Sequence, residues 1–102
     1  MESPRGSGPG DNRPVVVIQS DLLNATAINT CLCAVVTSNL RLLHSEGNVA
    51  LRKDESRLAK ESVVNVTQLL ALDRADLVER VTSLSAKTMR LIDTGIRFAL
   101  DL

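Results

Sequence analysis

Apolar residues come in short β-branched blocks through the first four fifths of the chain and at helical spacing only near its end. Val15-Val16-Val17-Ile18 is the first block, and it predicts a buried strand. Pro14 suits the first position of a strand, where a missing N–H is tolerated. Cys31 to Thr37 predicts a second apolar strand. Ser20 to Ala27, between them, is polar-mixed and predicts a turn with a short helical piece. Asn48 to Leu51 predicts a short strand after the Glu46-Gly47 turn. Ser62 to Leu72 is long for one straight strand, and Asn65 and Thr67 interrupt it. Its concentration of β-branched residues favours a bent strand or a strand pair over a helix.

The pattern then changes. Asp73 to Leu77 predicts a helical turn with Asp73 as a possible N-cap, and Glu79 to Leu84 predicts a last strand. Ser85 predicts the N-cap of a closing helix. Met89, Ile92, Ile96 and Ala99 share one helical face. Leu91, Phe98 and Leu102 form a second apolar line about 60° away. Together they predict a wide core face in preference to a separate interface. Strands, a charged excursion, more strands and a helix make an α+β domain with a mainly antiparallel sheet. Residues 1–13, rich in Gly, Pro and Ser, read as a loop or tail, and residues 14–102 as a single domain.

Composition narrows the function classes. A chain of 102 residues that is 44% apolar and 24% charged is globular. Twelve Lys and Arg balance twelve Asp and Glu, so no global field draws in nucleic acid or an anionic membrane. Phe98 is the one aromatic residue, which removes a base-stacking platform. The longest apolar run, Cys31 to Val36, is far too short to span a membrane, and Met1 to Asn12 does not read as a secretory signal. Cys31 and Cys33 would share one strand face, and they read as small core residues in a reducing compartment. No metal-ligand spacing accompanies them.

Charge usage places the remaining chemistry. Asp21 is the one charged residue between Pro14 and Leu40, whereas Arg41 to Glu61 holds nine and reads as surface. His44, the one histidine, falls in that stretch and reads as a surface residue. There is no Gly-rich phosphate loop. Polar groups instead gather at strand ends: Arg13 before the first, Thr37-Ser38-Asn39 after the second, and Asn65, Thr67 and Gln68 inside a third. In one sheet these ends could converge. An arginine beside hydroxyls and amides suits a phosphodiester, because the guanidinium offers a planar fork of donors.

Three stretches carry a resemblance. Arg13-Pro14-Val15-Val16-Val17-Ile18-Gln19, Val36-Thr37-Ser38-Asn39 and Ser62-Val63-Val64-Asn65-Val66-Thr67-Gln68 together resemble the MazF/PemK toxin family. Asn24, Gly47-Asn48-Val49, Leu77 to Val81 and Leu100-Asp101-Leu102 extend the match over nearly the whole chain. The resemblance implies an SH3-like (CcdB/PemK-type) antiparallel β-barrel with short helices and a C-terminal helix, usually a homodimer in the cytoplasm. It implies the toxin of a type II toxin–antitoxin system, an endoribonuclease that cuts single-stranded RNA (mRNA, with rRNA as a further target) at short sequences. It implies that no metal or other cofactor is needed, and that a cognate MazE-like antitoxin fills the RNA site. Carried over by position, Arg13 and Thr37 are catalytic. Gln19, Ser38, Asn39, Asn65, Thr67 and Gln68 line the RNA groove. RNA brings its own 2′-hydroxyl nucleophile, so Arg13 is expected to stabilise phosphoryl charge and, secondarily, to protonate the leaving oxygen. The alternative reading is a non-enzymatic toxin of this fold, of the gyrase-poison type, or a truncated remnant that only binds antitoxin.

The chain departs from the family at three places. Asn65 and Thr67 stand where some members carry an Arg and an Asp. Arg57, Ala59 and Glu61 replace the more usual Gly, Pro and Asp, a change expected to alter a turn. Met1 falls inside the Gly-rich loop, so either the true start lies upstream or the family's first strand, which usually supplies aromatics, is missing. That loss would leave an unpaired sheet edge and lower stability.

Overall fold

A computed structural model of the chain describes residues 13–18, 28–77 and 81–102. The two apolar blocks, β1 (Val15–Val17) and β2 (Thr30–Thr37), pair antiparallel, with Val15 opposite Val35 and Val17 opposite Cys33. β2 also pairs antiparallel with β4 (Ser62–Asp73), and β4 with β3 (Val49–Leu51). The order across the sheet is β1-β2-β4-β3, so β1 and β3 are its outer strands among the described residues. The sheet curls into a half-barrel against a C-terminal helix.

Side chains alternate between the faces of a strand, and both faces here are covered. Val16, Ala34, Val36, Val49, Leu51 and Val64 pack on one side with Ile92 of the helix. Val15, Cys31 and Cys33 pack on the other with Val17, Leu72 and Leu77. A strand buried on both faces is apolar at successive positions, which accounts for Cys33 to Val36 in β2; Leu32 before them is exposed.

β4 is the bent strand that its polar interruptions suggested. Ala34 pairs with Leu69, but the next residue, Val35, pairs with Asn65. Residues 66–68 therefore have no counterpart on β2 and bulge. Extra residues on one strand bend it and re-aim its side chains. Between β3 and β4 lies α1 (Lys53–Ser56), which ends at Arg57 with φ 60°. That left-handed conformation favours glycine.

The closing helix, α2, runs Ala86–Leu100 and starts at Ser85 as expected, with the Ser85 hydroxyl accepting from the Thr88 N–H. Glu55 of α1 braces this start. Its carboxylate accepts from the Ser85 N–H and the Thr88 hydroxyl, each at 2.9 Å. The Ser85 bond, seconded by Thr88, holds the Glu55 pKa below its ordinary value despite partial burial. Further along, Gly95 meets Gly47, whose φ of 95° requires glycine in the turn before β3. A Cβ on Gly95 would come within 2.0 Å of the Gly47 carbonyl oxygen.

Three expectations change. Of the expected strand Glu79 to Leu84, residues 81–84 form none and run as irregular chain into the Ser85 cap, and residues 79 and 80 lie outside the described residues. After β4 comes a single 3₁₀ turn, Arg74–Asp76, whose N-cap Asp73 makes no side-chain capping bond. The apolar face of α2 is narrow. Ile92 is buried with Met89 and Ile96 against the core, but Leu91, Phe98, Ala99 and Leu102 are exposed, because the glycine contact seats the helix along one line. The Ser20 to Ala27 turn lies outside the described residues.

Two stability effects follow. In an exposed helix, glycine to alanine stabilises by about 1 kcal/mol. Gly95→Ala is expected to destabilise by about 2 kcal/mol or more, because the helix must move off the turn; a lowered urea midpoint checks the sign. Glu55 contributes stability above its ordinary pKa of about 4.5 that is lost as pH falls through its lower native value. Glu55→Ala is expected to cost about 1 kcal/mol at pH 7 and to have a shallower acid denaturation profile than wild type, measured by urea midpoints from pH 7 to pH 3.

Candidate functional site

Antiparallel pairing brings the start of β1 to the end of β2. The Pro14 carbonyl accepts from the Val36 N–H at 3.0 Å, and continuing the register places Arg13 opposite Thr37. On the other side of β2, Thr37 pairs with Val63, which continues to Ser38 opposite Ser62. These ends surround a cleft of about 510 Å³. Arg13, Thr37, Ser38 and Gln68 line it, with Lys60 and Ser62. Pro14, Val36, Leu58 and Ala59 supply its apolar wall.

Local bonds set several of the polar groups. The Thr37 hydroxyl oxygen accepts from the Asn39 N–H at 3.1 Å. Accepting uses a lone pair and leaves the hydroxyl proton to donate elsewhere. The Asn39 side chain bonds within its own turn, where it accepts from the Arg41 N–H and caps the 3₁₀ helix Leu40–His44. Asn65 is only 7% exposed. Its Oδ1 accepts from the Thr67 N–H at 3.2 Å and the Thr67 hydroxyl at 2.8 Å, and its Nδ2 donates to Gln68 Oε1 at 2.8 Å. These bonds lie within the bulge of β4. Asn48 pins the same bulge from behind, accepting from the Val66 N–H and donating to the Leu42 carbonyl, each at 2.9 Å.

Of the residues singled out by sequence, Arg13, Thr37, Ser38 and Gln68 come together in the cleft. Asn39, Asn65 and Thr67 are not among its lining and are bonded to neighbours. Gln19 lies outside the described residues. His44 is exposed in the 3₁₀ helix and does not line the cleft. Lys60 and Ser62 were missed. Lys60 lay in a charged stretch read mostly as surface, but it stands two residues before the start of β4, whose partner leads into Thr37 and Ser38. The Ser62 hydroxyl donates to the Lys60 carbonyl at 3.0 Å and so fixes that turn. Asn48 was read only as the start of a strand.

The lining is rich in donors: a guanidinium, an ammonium, the hydroxyls of Thr37 and Ser38 and an amide. It suits a ligand dense in acceptor oxygens. The two cysteines are apart from it, buried in the second core cluster. Burial, reinforced by Cys31, pushes the Cys33 thiol up to about 12, so it is not a thiolate nucleophile at neutral pH. Among the described residues no group of three or more His, Cys, Asp or Glu could hold a metal ion, and no helix is long and apolar enough to cross a membrane.

Similar proteins share this framework. A family model described as PemK-like, MazF-like toxin of type II toxin–antitoxin system matches residues 1–100. The endoribonuclease MazF6 of Mycobacterium tuberculosis is 46% identical over 99 residues, covering 97% of this chain and 87% of its own length. The endoribonuclease MazF of Staphylococcus saprophyticus is 34% identical over 98 residues, covering 96% of this chain and 81% of its own. The solved structure of the Mycobacterium tuberculosis toxin MazF-mt6 superposes with a TM-score of 0.78 at 21% identity, over 99% of this chain and 96% of that one. That likeness establishes the fold: the curled antiparallel sheet with its C-terminal helix is the MazF toxin fold.

Proposed function

This chain belongs to the PemK-like, MazF-like toxins of type II toxin–antitoxin systems, and from that premise we propose that it is an endoribonuclease that cuts single-stranded RNA without a metal and so stops translation and growth. What carries the reading is the placement of Arg13 opposite Thr37 at the mouth of one donor-lined cleft. Relatives that bear the name endoribonuclease support it.

The reaction asks little of the protein. The 2′-oxygen attacks the adjacent phosphorus, the bond to the 5′-oxygen breaks, and the products are a 2′,3′-cyclic phosphate and a 5′-hydroxyl. The proton lost by the 2′-hydroxyl and the one gained by the 5′-oxygen balance. Arg13 stabilises the negative charge that builds on the phosphoryl oxygens, and the Thr37 hydroxyl donates to one of them. A guanidinium is a poor proton donor, so Arg13 works chiefly by charge. Lys60 acts as a second, mobile cation on a flanking phosphate. Holding the phosphodiester between these groups aligns the attack. The partners of this reading are single-stranded RNA, a MazE-like antitoxin that competes for the cleft, and a second copy of the chain in a cytoplasmic homodimer.

Two measurements test it. Purified protein incubated with long RNA in EDTA should release fragments with 5′-hydroxyl ends. Arg13→Ala should lower the rate by at least about a hundredfold, the scale of losing one charge-stabilising donor. Cleavage at the wild-type rate by that variant would reject the assignment. Lys60→Ala should weaken RNA binding about equally for all sequences. It should also flatten the slope of log affinity against log salt by about 0.7, as expected for one lost phosphate contact on a single strand.

A further inference from the structure

The bonds around Asn65 form a relay whose polarity is fixed at one end. The Thr67 backbone N–H can only donate, so the Asn65 atom facing it at 3.2 Å must be the acceptor Oδ1. The opposite end of the Asn65 amide is then the donor Nδ2. The Gln68 atom that it meets at 2.8 Å must be the acceptor Oε1. The one remaining polar atom of the Gln68 side chain is its NH₂. Gln68 lines the cleft with Arg13 and Thr37, whereas Asn65 is buried and does not.

We propose that Asn65 is a positioning residue that sets the polarity of Gln68, so that the Gln68 NH₂ donates to an acceptor atom of the RNA next to the cleaved phosphate. The inference rests on the endoribonuclease reading and refines it. Sequence reasoning gave Asn65 and Gln68 the same part, as groove lining. Their bonds divide the work: Gln68 makes the contact, and Asn65 decides whether that contact donates or accepts. The acceptor has one of two sources, a flanking phosphoryl oxygen or the carbonyl or ring nitrogen of a base. A base contact would make Gln68 a determinant of the cleavage sequence, because bases differ in where they present acceptors.

Asn65→Asp is close to isosteric and reverses the polarity that Gln68 meets. The new carboxylate still accepts both bonds from Thr67, and those donors favour its ionised form. Toward Gln68 it presents an oxygen where there was an NH₂. The Gln68 amide must turn over to donate inward, which leaves its oxygen facing the RNA. Gln68→Met removes the contact altogether.

The test measures the Kd of an uncleavable 2′-O-methyl RNA pool and, separately, KM and cleavage sites on unmodified RNA in EDTA. Circular dichroism melting shows that each variant is folded. Asn65→Asp is expected to raise Kd and KM roughly tenfold, the loss of one hydrogen bond plus a mismatch. Gln68→Met should do the same to within about threefold. Adding Asn65→Asp to Gln68→Met should change Kd by less than about twofold, since the first acts only through the second. A shifted base preference at one position in the single variants identifies a base as the acceptor; a uniform loss across sequences identifies a phosphate. Unchanged Kd in folded Asn65→Asp, or an undiminished effect of it in the Gln68→Met background, overturns the proposal. Wild-type protein that binds the pool without cutting unmodified RNA would sink the enzyme reading and leave the relay standing. Wild-type protein that does not bind the pool would sink both.

Discussion

β4 is longer than the strand it pairs with, and the structure is organised around that mismatch. Between two pairs that are consecutive on β2, β4 carries residues 66–68 unpaired. Such an excess would leave backbone N–H groups without strand partners, at a cost of about 1–3 kcal/mol at the buried Val66. Asn48 and Asn65 supply the missing acceptors, bonding the N–H groups of Val66 and Thr67. An asparagine side chain carries a carbonyl and an amide like a peptide unit, so each stands in for a stretch of the absent strand partner. The bulge is therefore a second, side-chain-built continuation of the sheet, and Gln68 leaves it pointing at the cleft.

The same region takes the contact from α2. Gly47 precedes Asn48, and Gly95 sits against it with no room for a Cβ on the helix. Phe98 flanks that contact on its exposed side. The turn thus holds the helix by backbone proximity and holds the bulge by the Asn48 amide one residue later. A shift of the helix would be felt at Val66 and, through the next residues of β4, at the cleft. Glu55 fixes the other end of the helix, so α2 is tied at its first and third turns to the two segments that flank β3.

Much of this was legible from residue order alone. Strands with β-branched runs, the Ser85 cap and the polar strand ends all followed from local chemistry, because each depends on neighbours in sequence. The R-P and V-T-S-N pieces could be joined only through the antiparallel register of β1 and β2, which local patterning suggests but does not compel. Lys60 was hidden because charge density marks surface and says nothing of which surface. The width of the α2 apolar face was overread for a related reason. Periodicity records which side chains are apolar, but Gly95 decides along which line the helix touches, and a glycine leaves no mark in a hydrophobic pattern. The division of labour between Asn65 and Gln68 depends on which end of each amide faces the other, and composition carries no trace of that.

The neutral charge of the chain first argued against a nucleic-acid ligand, yet it and the proposed RNA chemistry are compatible. A global field speeds encounter and adds affinity for any polyanion. Cleaving one phosphodiester needs something narrower: donors fixed around the oxygens where charge grows, in a place partly shielded from water. The cleft lining offers Arg13, Lys60 and the Thr37 hydroxyl within one small volume, while acidic side chains elsewhere cancel the total. Among the described residues that line it, every polar side chain but Ser62, whose proton goes to the Lys60 carbonyl, can donate, and none is a carboxylate or an imidazole. Such a lining favours the charge-rich transition state over the ground-state diester, because each added unit of charge on phosphorus strengthens bonds already in place. On the proposed reading the RNA contributes the nucleophile, and the protein contributes an oriented set of positive and partly positive groups. An excess of positive charge over the whole surface would strengthen binding to substrate and product alike without lowering the barrier between them.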